Sequence, residues 1–280
     1  MKILFQRFSE ESKNAIRIFT EQASNLQAQL DEAEHVLNTR IAAPIPRDLD
    51  SLEHLAVQHR EFENRLKNLT PEIDGIQSTF RNITRKTPAL QSKLDKILTQ
   101  WNQIWNSSHL YNDRLKSVEV VLSGLEEANT LVSEFELKLA SYGEMPNDLE
   151  ALKNVHQELI NIQNSITRQQ PIIDQLNEDC HKARRVVEKS RHHIHRGGAH
   201  HDLDRLDNDV KRLTTRWNNL CAQLVDRLHS CEAGVELLQK FTHSYQTEVS
   251  FVDDSYGKLN HLTPVKTTAV EQIEPIKVGG

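Results

Sequence analysis

The sequence predicts an all-α protein in which tandem three-helix bundles share continuous helices and form an elongated rod. Three observations support this prediction. Apolar residues recur at alternating intervals of three and four, which is the spacing of a helix with one apolar stripe. Helix breakers are scarce, with 9 Gly and 8 Pro among 280 residues. The pattern of apolar residues, prolines and charges also recurs when the chain is shifted by 100 residues.

Composition excludes several classes of protein. The net charge is −6, so there is no large positive surface for general binding of nucleic acid. No apolar run reaches the 18 residues of a membrane span. The 3 cysteines are odd in number and widely spaced, which indicates a reducing compartment rather than a disulfide framework. We therefore expect a cytoplasmic protein whose partners are other proteins.

The first two helices are predicted from their apolar ladders and their breakers. The first runs from about Ile3 to Arg40 and ends at the proline-containing segment 42–46. The second begins near residue 49, with Asp48 or Asp50 as its N-cap, and continues to about residue 83. Pro71 lies inside this ladder, but the apolar phase continues beyond it, so we expect a local kink rather than a break.

The third predicted helix organises the chain. Its ladder runs from Leu90 to Leu139 without a proline, with Thr87 as the expected N-cap and Pro88 as the first helical residue. About fifty residues of helix span about 75 Å. A helix of this length must leave one bundle and enter the next, because no compact bundle contains all of it.

The same plan then recurs. A loop at 142–146 precedes a fourth helix, a loop at 192–199 follows it, and a fifth helix runs from about residue 203 to 252 before Pro264. We expect one repeat at residues 1–115, a second at 116–228, and the start of a third at 229–280, so that the chain is part of a longer protein.

The 100-residue shift aligns particular residues of the two copies. It superposes Pro46–Leu52 on Pro146–Leu152 and Pro71 on Pro171. The third helices share a Trp-Asn pair and an Asp-Arg-Leu triplet at a slightly different spacing. Together with the apolar ladders, these matches predict the structural core residues of the two bundles, which are Trp101, Trp217, Leu115, Leu122 and Leu228.

These features resemble a known family. His59-Arg-Glu-Phe-Glu63 in the second helix, a Trp in the third and the shared helices look like spectrin repeats. The segments 113–119, 122–127, 133–139 and 184–191 are similar to the plakin domain of plakins and spectraplakins, near its C-terminal end. The resemblance implies two complete spectrin repeats and part of a third.

What is known of this family implies a function. Its members are cytoskeletal linkers, so the resemblance implies a cytoplasmic, cytoskeleton-associated protein at cell junctions or hemidesmosomes. Its partners would be cytoskeletal or junctional proteins, including transmembrane receptors. The filament-binding modules of such proteins lie elsewhere, and no SH3-like, strand-rich stretch is present here.

No catalytic, cofactor or metal site is predicted, because the sequence has no P-loop, GxGxxG, GxSxG or HExxH motif. The concentration of histidines at 192–201 raises the hypothesis of a zinc-binding or pH-sensitive loop. A solvated loop is favoured, because no His or Cys spacing fixes a metal geometry and Gly197-Gly198 predicts a flexible loop. Cys180 and Cys231 lie on the apolar seam and Cys221 beside it, where small buried side chains are expected. A basic stripe could dock an acidic partner or be a solvated face; its members are Lys182, Arg184, Arg185, Lys189 and Arg191.

The sequence thus predicts a monomeric structural rod that acts as a spacer, a force-bearing strut and a protein-interaction surface, without enzymatic activity. The alternative is a membrane-associating helical dimer of the crescent (BAR-like) type, which is built from similar long helices. The negative net charge and the 100-residue repeat weigh against this alternative.

Overall fold

The computed structural model describes residues 2–192 and 201–261. This part of the chain contains six α-helices and no strand. They are α1 (Lys2–Ala42), α2 (Leu49–Asn68), α3 (Thr70–Arg81), α4 (Pro88–Ala140), α5 (Leu149–His192) and α6 (His201–Asn260). The prediction of an all-α fold is confirmed. No described helix is long and apolar enough to cross a membrane.

The chain forms two compact units. Unit 1 consists of Met1–Glu134 and Gln169–Asn218. It contains α1, α2, α3 and most of α4, together with the second half of α5 and the first part of α6. Unit 2 is assigned to Phe135–Arg168 and Asn219–Gly280. Its described core includes the buried side chains of Leu152, Leu159 and Cys231.

The start and end of each early helix follow from local chemistry. The Asp48 carboxylate accepts a hydrogen bond from the Ser51 N–H at 2.7 Å and caps α2, so Asp48 rather than Asp50 is the N-cap. The Thr87 hydroxyl accepts from the Leu90 N–H at 3.4 Å, and Pro88 is the first residue of α4. These contacts confirm the predicted starts of the two helices.

The second predicted helix is in fact two helices. α2 ends at Asn68 and α3 begins at Thr70, so the prediction of one kinked helix is wrong. Pro71 has no N–H to continue the helical ladder, and its ring crowds the preceding turn. Leu69 remains in the right-handed region, with φ −81° and ψ −14°. The apolar phase therefore survives the break, and Ile73, Ile76 and Phe80 are all buried.

The long third helix is confirmed. α4 contains 53 residues from Pro88 to Ala140 without interruption. Gly124 lies within it, and a Cβ at this position would come within 3.1 Å of the Leu176 side chain of α5. The glycine therefore permits a close approach of α4 and α5, at a cost of about 1 kcal/mol in helix propensity. After α4 the chain turns at Gly143, whose φ of +54° is in the left-handed region.

Candidate functional site: the α4 crossing in unit 1

The central part of α4 forms a buried seam within unit 1. Its buried side chains in this region include Tyr111, Leu115, Val118, Leu122 and Leu125. Leu115 and Leu122, which the sequence placed in the core, are both in this set. The spacing of four, three, four and three keeps these side chains on one stripe of the helix. The helix is therefore held by packing at the point where the sequence places the boundary between two repeats.

Two arginines bind the C-terminal end of α1 and the loop that follows it. The Arg114 guanidinium of α4 donates to the carbonyl oxygens of Ile41 at 2.6 Å and Ala43 at 3.1 Å. The Arg205 guanidinium of α6 donates to the carbonyl oxygens of Ile45 at 3.0 Å and Pro46 at 3.2 Å. Carbonyls at a helix C-terminus carry partial negative charge and lack helical partners. The two cations therefore satisfy four carbonyls between residues 41 and 46 and connect the end of α1 and the loop after it to α4 and α6.

Sequence reasoning did not assign a role to these arginines. Each is the middle residue of an Asp-Arg-Leu triplet, at 113–115 and 204–206, and a third triplet lies at 226–228. Arg114 is only 3% exposed, which is unusual for a charged side chain. The recurrence of the triplet was the signal, but the sequence did not indicate which backbone groups the guanidinium groups would bind. In the third triplet, Nη1 of Arg227 is buried and has no hydrogen-bond partner.

A polar cluster is buried beside the seam. His59 of α2 is 2% exposed, and its Nε2 lies 3.1 Å from both the carbonyl and the hydroxyl oxygen of Ser108. The Ser108 hydroxyl also donates to Glu63 at 3.2 Å. Burial lowers the pKa of His59, and Arg40 and His109 lower it further, whereas the Ser108 bond and Glu63 raise it. The imidazole is therefore held neutral, with its Nδ1 lacking a partner.

The two predicted tryptophan anchors differ in burial. Trp217 is fully buried, and its Nε1–H donates to the Gln170 side-chain oxygen at 2.6 Å. Trp101 is only half-buried and packs edge-on against Trp105, with ring centroids 5.7 Å apart. Its neighbour Gln100 is the buried residue, and it donates to the Asp31 and Glu34 carboxylates. The sequence placed Trp101 in the core, whereas in the structure this tryptophan lies at the edge of the core.

The remaining predicted core residue, Leu228, lies in unit 2 and is 6% exposed. The cysteines also lie where the apolar ladder predicts them: Cys180 and Cys231 are buried and Cys221 is half-buried. Burial raises the pKa of all three thiols. A raised pKa favours the protonated thiol, which is a poor nucleophile and metal ligand.

Two members of the predicted basic stripe on α5, Lys182 and Arg184, pair with acidic side chains. Lys182 lies 3.0 Å from Glu178 and 3.3 Å from Asp179. Arg184 lies 3.1 Å from Asp204, and also pairs with Asp207 and Glu188. Arg185 and Lys189 are exposed, whereas the side chain of Arg191 lies outside the described part of the chain. The stripe is thus a mixed-charge face in which Lys182, Arg185 and Lys189 are exposed.

The histidine-rich segment cannot be assigned a geometry, because residues 193–200 and the side chains of His192 and His201 lie outside the described part. Among the residues that were searched, no group of three or more His, Cys, Asp or Glu side chains could hold a metal ion.

The chain is similar in sequence to known proteins. Residues 14–117 match the family model of the spectrin repeat. The chain is 23% identical over 275 residues to microtubule-actin cross-linking factor 1, isoforms 1/2/3/4, of Mus musculus, covering 94% of this chain and 4% of that protein. It is 22% identical over 280 residues to microtubule-actin cross-linking factor 1 of Rattus norvegicus, covering 94% and 5%. The Homo sapiens protein, isoforms 1/2/3/4/5, is 22% identical over 266 residues, covering 91% and 4%.

Proposed function

We propose that this chain, a spectrin-repeat protein related to the spectraplakins, is a non-enzymatic structural segment of a cytoskeletal linker. The spectrin-repeat match and the name shared by its relatives, microtubule-actin cross-linking factor 1, support a structural role. Because the chain spans only 4–5% of the length of those relatives, the partners of the whole protein are part of the proposal. In this role the segment is a spacer and a force-bearing strut.

One observation carries the proposal: α4 continues for 53 residues through the expected boundary between repeats. A flexible linker at this point would let neighbouring bundles swivel. A continuous helix must instead bend, or break hydrogen bonds, before the bundles can change their angle. The Arg114 and Arg205 bonds to the loop after α1 add a second restraint. We further propose the repeat boundaries 1–115, 116–228 and 229–280.

Measurement of a distance along α4 tests the strut. Spin labels at Ser92 and Glu134, which are both exposed, report on the segment that crosses the boundary. At about 1.5 Å per residue we expect a narrow distribution centred near about 63 Å. Val118→Pro removes a helical N–H in the middle of this segment, so the distribution should broaden and shorten. A broad distribution in the unsubstituted chain would contradict the proposal.

A matched control separates helix breakage from lost packing. Val118 is 1% exposed, so any substitution there also removes buried apolar contact. Val118→Ala also removes the buried methyl groups of the valine but keeps the backbone N–H. We expect the alanine variant to lose stability while retaining the narrow distance distribution. Equal broadening in both variants would mean that packing, and not helix continuity, maintains the distance.

The finer localisation is a separate part of the proposal. We propose that the full-length protein acts at cell junctions or hemidesmosome-like attachments, with junctional or receptor proteins as partners. A fluorescently tagged copy of this segment, expressed in epithelial cells, should concentrate at cell contacts. A uniform cytoplasmic distribution would contradict this localisation without affecting the strut, which the distance measurement tests on the purified chain.

A further inference from the structure

Unit 1 contains a large open groove beside the α4 seam. Its walls are formed by α2 between Leu49 and Glu63, by α4 between Asn112 and Glu127, and by α5 between Pro171 and Asp179. Its volume is about 1230 Å³. Small-molecule sites are typically enclosed clefts of about 300–1,000 Å³ that bury most of their ligand. This groove is larger and has exposed walls, so its size favours an extended macromolecular segment over a small ligand.

The groove exposes apolar side chains on two of its walls. Val57 of α2 is 44% exposed and Val120 of α4 is 52% exposed, and both line the groove. Leu115 and Leu176 line it as buried residues, and Ile172 is half-buried. A single exposed valine is ordinary on a protein surface. Two in one concavity with an apolar lining form a surface that an apolar helix stripe can cover.

The charged side chains that line the groove favour an occupant with positive charge. Five carboxylates line it, against the two cations Arg60 and Lys116; the acidic residues are Glu53, Glu63, Glu119, Glu127 and Asp179. Glu63 and Asp179 already accept hydrogen bonds within the chain. Glu53, Glu119 and Glu127 are exposed. The excess of negative charge in a concave surface attracts a cationic partner and disfavours an anionic one.

A buried polar atom at the groove also lacks a partner. His59 lines the groove and is 2% exposed, and its Nδ1 has no hydrogen bond. If Nε2–H donates to the Ser108 carbonyl, Nδ1 is an acceptor. A buried acceptor without a donor is costly, and buried polar groups are normally satisfied. Because the atom is itself enclosed, an occupant could satisfy it only if the groove wall rearranged on binding.

We propose that this groove docks a basic amphipathic helix from a partner protein. The partner's apolar stripe covers Val57 and Val120, and its Lys or Arg side chains meet Glu119 and Glu127. A helix laid in a groove between helices is an established mode of peptide recognition. A second copy of this chain fits less well, because the chain carries a net charge of −6. The proposal concerns a binding surface and does not depend on α4 acting as a strut.

The test uses a defined probe and the whole chain. The probe is a fluorescein-labelled synthetic peptide of about 18 residues, or about five helical turns, with Leu at positions i, i+3, i+4 and i+7 and Lys elsewhere. A matched peptide carries Glu in place of every Lys. We expect saturable binding of the lysine peptide by anisotropy, weakening with added salt, and at least about tenfold weaker binding of the glutamate peptide.

Variants locate the bound peptide. Val57→Asn and Val120→Asn change exposed side chains and should each weaken binding about tenfold. Val225→Asn is the matched control, since Val225 is 40% exposed on α6 and does not line the groove. Glu119→Lys with Glu127→Lys should remove most of the salt dependence. None of the surface changes should alter the distance along α4, which keeps this proposal separate from the strut.

Three outcomes would overturn the proposal. One is the absence of saturable binding up to about 1 mM peptide. Another is binding that survives the groove substitutions but is lost in Phe241→Ser with Tyr245→Ser, since these aromatic side chains are 67% and 62% exposed on α6. The third is a change in oligomeric state on Val57→Asn or Val120→Asn, measured by sedimentation, because it would show that a second copy covers the groove.

Discussion

The two copies of the internal repeat share a pattern but differ in core chemistry. The buried polar side chains of the described residues are His59, Gln100, Ser108 and Arg114, and all lie in the first copy. The position equivalent to His59 in the 100-residue repeat is Leu159, which is fully buried. The second copy instead buries the large Trp217. The apolar ladder therefore accounts for most of the buried positions, but residues 1–115 also bury polar side chains that form hydrogen bonds to other side chains or to backbone carbonyls.

The largest expected difference concerns the two tryptophans of the predicted core, Trp101 and Trp217. Trp217→Ala removes a fully buried indole and leaves the Gln170 side chain without its donor, so we expect a loss of about 3–5 kcal/mol. Trp101→Ala removes a half-buried side chain and should cost about 1 kcal/mol. Urea unfolding followed by circular dichroism would measure both. Equal losses would contradict the view that only one tryptophan anchors a core.

The arginine triplets provide the next comparison. Arg114→Met removes donors from two carbonyl oxygens at the C-terminal end of α1, Ile41 and Ala43, which should cost about 2–4 kcal/mol. Arg227→Met removes a guanidinium whose Nη1 is buried without a partner, so the change should fall within about 0.5 kcal/mol or stabilise. Denaturant midpoints at constant slope would measure these effects. A larger loss for Arg227→Met would mean that its guanidinium supports the second copy as strongly as Arg114 supports the first.

Pro71 and Pro171, which the 100-residue repeat aligns, occupy different positions in their helices. Pro71 lies in the first turn of α3, where its missing N–H has no helical acceptor to lose, whereas Pro171 lies inside α5. Pro171→Ala should therefore stabilise the chain by about 1–2 kcal/mol, and Pro71→Ala should change stability by less than about 0.5 kcal/mol. Thermal denaturation of the two variants would test the order. A gain in stability from Pro71→Ala but not from Pro171→Ala would show that the break after Asn68 is strained.

The prolines also show what could be derived from the sequence. The ladder predicted that both helices keep their phase, and Ile76 and Leu176 are buried as it requires. It could not distinguish the break at Leu69 from the continuous helix at Pro171, because this depends on contacts made elsewhere. Gln170, the residue before Pro171, accepts a hydrogen bond from Trp217 and donates one to Asp174 at 2.9 Å. Thr70, the equivalent residue before Pro71, is exposed.

The site was less predictable than the helices for a related reason. Periodicity identifies apolar stripes, so Leu115 and Leu122 were expected in the seam and are buried there. It gives no information on a charged residue whose partners are backbone carbonyls, and Arg114 was therefore not identified as a structural group. Nor does it distinguish a seam Trp from its neighbour, so the burial of Gln100 in place of Trp101 was not foreseen.

The smallest expected effect is a pH dependence of folding stability that arises from His59 in the first copy. Because burial lowers the pKa of His59 in the folded state, the unfolded chain binds a proton first as the pH falls below about 6.5. Folding stability contributed by neutral His59 is thus fully present above that pH and is lost as the pH falls through the folded pKa. The groups around the imidazole act in both directions: Arg40 from α1 and His109 from α4 oppose its protonation, and Glu63 from α2 favours it.

His59→Leu places in the first copy the residue that the second copy has at position 159. The variant should retain a buried core while losing the part of the acid destabilisation that is due to His59. The measurement is the free energy of unfolding of the variant minus that of the unsubstituted chain, between about pH 5 and pH 7.5. This difference cancels the titration of the other histidines and carboxylates. We expect the variant to gain relative stability as the pH falls, and a difference that is constant with pH would show that the buried imidazole does not couple folding to protons.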